Sequence, residues 1–370
     1  MKILLVFGTR PEAIKMAPLY FALKNAGVMV KVCITAQHRE MLDQVLAFFK
    51  FEPEYDLNVM KPGQSLTTIT SAVLQGVEEV INDFSPDWVG VHGDTTTTLS
   101  AALAGFYANT AVFHVEAGLR TGDKKSPWPE EMNRRLVSSI ADLHFAPTNS
   151  AKNNLLNEGV SESNILVTGN TVIDALLSTV ELQAMGHDYE GIFPFLEEGV
   201  PIILVTGHRR ENFGHGFEQI CIGLARVAKE FSNCRIVYPV HLNPKVQEPV
   251  KRILGDIPNV FLIAPLDYPS FVFLMSRCCI ILTDSGGIQE EAPSLGKPVL
   301  VMRDTTERYE AVEAGVVRLV GASADNIYSG VSELLAQPSL QAEIAQVTNP
   351  FGDGNASKRI VSALLDTHVK

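Results

Sequence analysis

Short runs of β-branched and aliphatic residues recur along the chain, separated by segments whose apolar positions fall at helical spacing. A first series comprises Ile3–Phe7, Val30–Thr35, Trp88–His92, Ala111–Val115, Leu143–Ala146 and Ile165–Thr168. A second comprises Pro201–Thr206, Arg235–Pro239, Val260–Ile263, Cys278–Thr283, Pro298–Met302 and Val316–Val320. Most are continuously apolar rather than alternating, the pattern of strands covered on both faces. Helical periodicity fills the gaps, as at Ala13–Asn25, Thr95–Tyr107 and Gly216–Phe231. Strands alternating with helices predict parallel sheets of the α/β class, and two series of strands predict two doubly wound domains.

The length agrees with that division, since 370 residues exceed the ~250–300 at which one core stops growing. The seam is expected at Gly169-Asn170-Thr171, giving domains over residues 1–169 and 170–355. Met185–Gly199, rich in glycine, acidic and aromatic residues, reads as a loop or short helix near it. After Gly352-Asp353-Gly354, the residues Ile360, Val361, Leu364 and Leu365 fall at helical spacing, so a final helix is expected over 356–370.

With 46% hydrophobic and 19% charged residues, the chain can bury a large core and is not of the disordered class. A net charge of −12 argues against nucleic acid or an anionic membrane as partner, because both demand basic patches. A local positive pocket for a small anion remains compatible with it. The five cysteines form no CxxC pair, which fits a reducing, cytoplasmic setting better than a disulfide scaffold. No apolar run is long enough to span a membrane. GxGxxG, GxxxxGK[ST], HExxH and DxD are all absent, and the nine histidines show no paired ligand spacing. Neither a dinucleotide cofactor nor a metal is expected.

The unusual polar residues instead follow the predicted strands, where ligands of open α/β sheets bind. After the first strand comes Gly8-Thr9-Arg10-Pro11-Glu12, with Thr9 placed to cap a helix and Arg10 and Lys15 flanking its start. His92-Gly93-Asp94 precedes four threonines, which are costly at a helix start, and Asp94 could serve simply as the helix cap. Glu116 ends a buried run, where burial would raise its pKa; the plainer alternative is an ion pair with Arg120. Glu130 and Glu131 open a helix after Pro127-Trp128-Pro129, and compensation of the helix dipole would explain both. His208 follows a strand of the second series and stands beside Arg209 and Arg210, as an imidazole near a phosphate would. Asp284-Ser285-Gly286-Gly287 leads from a strand into a helix, where backbone N–H groups and the Ser285 hydroxyl can cradle a diphosphate. Glu291 follows one turn later, and Arg308 offers a cation after the next strand.

Taken in order, GTRPEAIKMAPL, HGDTTTT, HVEAGLRTGD, SPWPEE, VTGHRREN, YPVHLNP, LTDSGGIQEEAPSLGKPV and RDTTER resemble the motifs of the non-hydrolysing UDP-N-acetylglucosamine 2-epimerase family. The resemblance spans essentially the whole chain. It implies a GT-B architecture, two Rossmann-like domains with substrate in the cleft between them and the final helix returning to the first. It also implies a homodimer that interconverts UDP-GlcNAc and UDP-ManNAc without metal or cofactor. By motif match, Asp94, Glu116, Glu130 and His208 occupy catalytic positions. Arg10, Lys15, Arg134, His241, Phe271, Ser285, Gly286, Gly287, Glu291 and Arg308 occupy substrate-binding positions. A GT-B glycosyltransferase, a hydrolysing epimerase releasing ManNAc, and a nucleotide-sugar sensor are the competing functions.

Overall fold

The computed structural model describes residues 1–36, 39–61, 63–185, 189 and 191–368. The chain divides into two compact units, residues 1–177 with 351–370, and residues 178–350.

The first unit is built on seven strands: β1 (Lys2–Phe7), β2 (Met29–Ile34), β3 (Tyr55–Asp56), β4 (Trp88–His92), β5 (Ala111–Val115), β6 (Leu143–Ala146) and β7 (Ile165–Val167). They lie in the order β3-β2-β1-β4-β5-β6-β7, every neighbouring pair parallel. The order reverses between β1 and β4, so the loops that leave these two strands diverge and open a crevice at their carboxyl ends. Ile3 to Phe7 are fully buried, because helices cover both faces of the sheet. Gly90 in the middle of β4 permits close packing: a Cβ there would meet the Phe113 ring of β5 at 2.3 Å. The edge strand β3 has no apolar run to announce it and is held by pairing with Cys33 and Ile34.

The helix Arg10–Asn25 starts as its sequence dictates. Thr9 caps it, Glu12 closes the capping box, and Pro11 sits in the first turn. The helix Thr171–Ala184 buries Val172, Ile173, Ala175 and Leu176 in the first unit, which explains why the division follows Leu177 rather than the glycine at 169. The helix Ala356–His368 also belongs to this unit. The Asp174 carboxylate accepts the N–H groups of Ala356 and Ser357 at 3.2 and 2.8 Å, and Ile360 and Leu364 are fully buried.

The second unit repeats the plan with β8 (Ile202–Thr206), β9 (Arg235–Pro239), β10 (Val260–Ile263), β11 (Ile280–Thr283), β12 (Val299–Val301) and β13 (Val317–Leu319). Their order is β10-β9-β8-β11-β12-β13, again all parallel, with the reversal between β8 and β11. The core gathers Ile203, Val205, Ile280 and Leu282 with Phe217, Leu224 and Ile327 from covering helices. Burying each such side chain contributes ~1.5–3 kcal/mol. Within Met185–Gly199, residues 186–188 and 190 lie outside the described residues; Phe193 is buried and stacks on Phe273. No described helix is long and apolar enough to cross a membrane.

Candidate functional site

In the first unit, the ends of β1 and β4 are joined by Glu12. Its buried carboxylate accepts the N–H groups of Gly8 and Thr9 at 3.0 and 2.8 Å and the hydroxyl of Thr95 at 2.7 Å, with the Thr98 hydroxyl oxygen 3.2 Å away. Burial pushes its pKa up, although these bonds oppose the shift. Three of the four threonines are thereby explained. Thr95 caps the helix Thr96–Tyr107, Thr97 bonds Thr35 at 2.7 Å, and Thr98 donates to the His92 carbonyl. Asp94 is not the cap. It accepts from Arg134 Nε and Nη2 at 2.9 and 2.6 Å, so a half-buried ion pair stands at the mouth of β4.

Glu116 follows β5 with φ of +61°, a left-handed conformation that is strained for any residue with a Cβ. Its Oε2 forms an ion pair with Lys15 and accepts from Asn170 Nδ2 at 2.8 Å. Burial alone would raise this carboxyl. The Lys15 ammonium, followed by His92 and the two hydrogen bonds, outweighs burial and holds Glu116 well below the usual carboxylate range. The sequence-based expectation of a raised pKa is therefore corrected. The alternative pairing is corrected too, because Arg120 binds Glu158 at 2.8 and 2.6 Å. His92 is buried with Nε2 at 3.8 Å from Glu116, and neither ring nitrogen finds a hydrogen-bond partner among the described residues. Burial lowers its pKa to about 4, which keeps the imidazole neutral.

The adjacent carboxylates of the next helix have different fates. Glu131 is 0% exposed, accepts the N–H groups of Thr121 and Gly122 at 3.1 and 3.2 Å, and pairs with Arg134. It ties down the preceding loop, which is more than dipole compensation. Glu130 is half-buried, and its carboxylate has no hydrogen bond or ion pair among the described residues. The guanidinium of Arg10, also half-buried at the start of its helix, likewise has none.

In the second unit, the ends of β8 and β11 carry the candidates. Asp284, fully buried, accepts the N–H groups of His208 and Arg209 at 2.8 Å each. His208 is 46% exposed and stacks on exposed His241, with ring centroids 5.4 Å apart. Partial burial lowers the His208 pKa, against the pull of Asp284. Ser285 begins the helix Gly286–Glu291 without capping it, and its hydroxyl has no hydrogen bond among the described residues. Arg308 lies over this turn: a Cβ on Gly286 would meet its guanidinium carbon at 3.3 Å. It is anchored by buried Glu290, with Nε at 2.7 Å. Glu291 accepts from the buried Tyr268 hydroxyl at 2.7 Å, and its other oxygen lies 3.8 Å from where a Gly287 Cβ would stand. Phe271 is half-buried on the helix Tyr268–Arg277.

The structure thus brings Lys15 to Glu116 and Arg134 to Asp94 in one unit, and Arg308 to Gly286 and His241 to His208 in the other. Sequence reading missed Glu12, Asn170 and the tethering role of Asp284. The capping-box spacing Thr9–Glu12 was the one local signal for any of them. Among the described residues, no group of three or more His, Cys, Asp or Glu is placed to hold a metal ion.

Comparison with known proteins agrees on one family. The family model described as UDP-N-acetylglucosamine 2-epimerase matches residues 22–365. A UDP-N-acetylglucosamine 2-epimerase of Escherichia coli (strain K12) is 57% identical over 375 aligned positions, covering 100% of each chain. The crystal structure of UDP-GlcNAc 2-epimerase from Neisseria meningitidis bound to UDP-GlcNAc matches with a TM-score of 0.90 at 53% identity, over 99% of this chain and 100% of that one. The enzyme from Methanocaldococcus jannaschii in complex with UDP-GlcNAc and UDP matches with a TM-score of 0.79 at 34% identity, over 99% and 100%.

Proposed function

Because the chain belongs to the UDP-N-acetylglucosamine 2-epimerase family, we propose that it interconverts UDP-GlcNAc and UDP-ManNAc by inverting C2 of the hexose. It is an isomerase of GT-B type. Glu116 is the observation that carries the mechanism: a nearly buried carboxylate, kept ionised by Lys15 in a strained backbone conformation.

The C2–H bond of a pyranose has no adjacent carbonyl, so simple deprotonation has no electron sink. Elimination supplies one. The C2 proton passes to an enzyme base, the C–H electrons form the C1–C2 double bond, and the C1–O pair departs with UDP. The product is a 2-acetamidoglucal. UDP then adds back to C1 while a proton reaches the opposite face of C2. Both faces need proton-handling groups, and Asp94, Glu116 and Glu130 supply them. The leaving diphosphate gathers negative charge, which Arg10, His208 and the Ser285-Gly286-Gly287 turn stabilise. Arg134 sets the orientation of Asp94, and Phe271, Glu291 and Arg308 hold the nucleotide half of the substrate. The five thiols form no disulfide, which supports a cytoplasmic setting. A homodimer is the working assembly, and the product supplies ManNAc units for surface polysaccharide.

Incubating the chain with UDP-GlcNAc alone, followed by NMR, tests the function. The expected outcome is a mixture of UDP-GlcNAc and UDP-ManNAc. Free ManNAc would identify a hydrolysing enzyme, and an unchanged substrate would contradict epimerisation.

A further inference from the structure

We propose that Asp284 is the positioning residue of His208, holding its Nδ1–H against the buried carboxylate so that Nε2 faces the diphosphate. The proposal rests on the reading of His208 as the phosphate-contacting imidazole. Asp284 directly follows β11, and its two oxygens do different things. Oδ2 accepts the N–H groups of His208 and Arg209, fastening the loop after β8 across the switch point. Just beneath, Thr206 and Thr283 share a hydroxyl hydrogen bond of 2.8 Å, and Asp284 N–H reaches the Thr206 carbonyl at 3.3 Å. Oδ1 is buried without a hydrogen bond, and His208 Nδ1 stands 3.5 Å away.

An unpartnered buried carboxylate oxygen is costly, and a small rotation of the imidazole would satisfy it. The ring is already held in plane by His241, which stacks on it with 17° between the rings. Its edge facing Asp284 carries Nδ1, so Nε2 is left as the outward nitrogen. The charged and titratable groups facing the ring are Asp284 at β11, His241 after β9, and Arg209 on its own loop. Asp284 alone favours the imidazolium, while burial, His241 and Arg209 disfavour it. One carboxylate therefore tethers the loop, fixes Nδ1 as the protonated nitrogen and favours the imidazolium, the form whose Nε2–H can face the departing diphosphate.

Asparagine separates these tasks. In Asp284→Asn the side-chain oxygen can still accept both backbone N–H groups, but the charge is gone and an NH2 faces Nδ1. The test is NMR of the full chain with 15N-labelled histidine, the His208 signals being identified by their loss in His208→Gln. Wild type should show neutral His208 as the Nδ1–H tautomer. Asp284→Asn should move it to Nε2–H, lower its pKa by ~1 unit, and lower kcat ~10-fold or more with little change in KM. The basic limb of the kcat profile should move to lower pH by the same shift, because activity that needs imidazolium fails as pH rises through its pKa. Asp284→Glu, which keeps the charge, should restore the pKa. A wild-type Nε2–H tautomer, or an unchanged His208 pKa and tautomer in folded Asp284→Asn, would overturn the proposal. If the asparagine variant does not fold, the wild-type tautomer decides alone. Full activity in His208→Gln would instead remove the catalytic role of His208, while the NMR results still judge the Asp284–His208 geometry.

Discussion

The two units wind their strands outward from a switch point in the same order, and each fastens the loop after its central strand with a buried carboxylate. In the first unit the carboxylate is Glu12, from the helix the loop leads into. In the second it is Asp284, from the neighbouring strand end. Glu12 spends its second oxygen on the Thr95 hydroxyl, whereas Asp284 leaves its second oxygen facing His208. The wider surroundings differ in the same sense. The first unit pairs Lys15 with Glu116 and Arg134 with Asp94 and Glu131, leaving Glu130 and Arg10 without such partners among the described residues. The second pairs Arg308 with Glu290 and sets Asp284 3.5 Å from the His208 ring, but leaves the Ser285 hydroxyl without a hydrogen bond among the described residues. One topology thus yields ion-paired carboxylates in one unit, for which proton handling is proposed, and in the other a glycine turn with an open hydroxyl, for which diphosphate binding is proposed.

The largest effects should come from neutralising the first unit's carboxylates. Asp94→Asn, Glu116→Gln and Glu130→Gln should each fold and bind UDP, yet lose ~10²–10⁴-fold in kcat. Near-wild-type rates in all three would contradict the carboxylate mechanism. Next comes Lys15→Met. A nearby cation commonly lowers a carboxyl pKa by ~1–3 units, so without Lys15 the burial of Glu116 prevails and its pKa rises. Activity that needs ionised Glu116 should then fail at a higher pH on the acid side, by a shift of that size in the kcat/KM profile. An unmoved acid limb would show that Lys15 does not control Glu116.

Glu12 should matter to stability more than to catalysis. Glu12→Ala strands three donors, the N–H groups of Gly8 and Thr9 and the Thr95 hydroxyl, and should destabilise the first unit by ~2–4 kcal/mol. Glu12→Gln should be tolerated, since its oxygen can take the two N–H groups and its NH2 can meet the two threonine oxygens. The sign of the pH effect follows from the raised pKa. A carboxyl raised in the folded state contributes stability below its unfolded pKa and loses it as pH rises through the folded value. Melting temperatures compared at pH 4 and 7 should therefore show the glutamine variant gaining on wild type at the higher pH. Ser285→Ala should have the smallest effect: UDP binding weakened ~5-fold, about 1 kcal/mol, with an unchanged melting temperature. A stability loss would show that the hydroxyl serves the fold.

Much of this was legible along the chain because buried parallel strands are written as apolar runs. Trp88–His92, Ala111–Val115, Leu143–Ala146, Arg235–Pro239 and Val260–Ile263 have the expected bounds. Tyr55–Asp56 left no such trace, since a two-residue edge strand needs no hydrophobic pattern. The polar residues after the strands pointed to the site, but their partners lie far away in sequence. Glu116 finds Lys15 at a separation of 101 residues, and Asp284 finds the His208 N–H at 76. Burial alone therefore gave the wrong sign for Glu116. The roles of Asp94 and Thr95 at the cap were exchanged for a subtler reason: both residue types cap helices well, and only the backbone path decides between them.

The most direct test of the elimination mechanism follows isotopes through the reaction of UDP-GlcNAc alone in D₂O. The account predicts deuterium at C2 of both UDP-GlcNAc and UDP-ManNAc, because the C2–H bond breaks and solvent-equilibrated acids return the proton. It also predicts that 18O placed in the bridge between C1 and the diphosphate scrambles into non-bridging positions, because the C1–O bond breaks. UDP-ManNAc formed with the bridging oxygen retained would contradict the mechanism, and with it the roles given to His208 and the Ser285-Gly286-Gly287 turn.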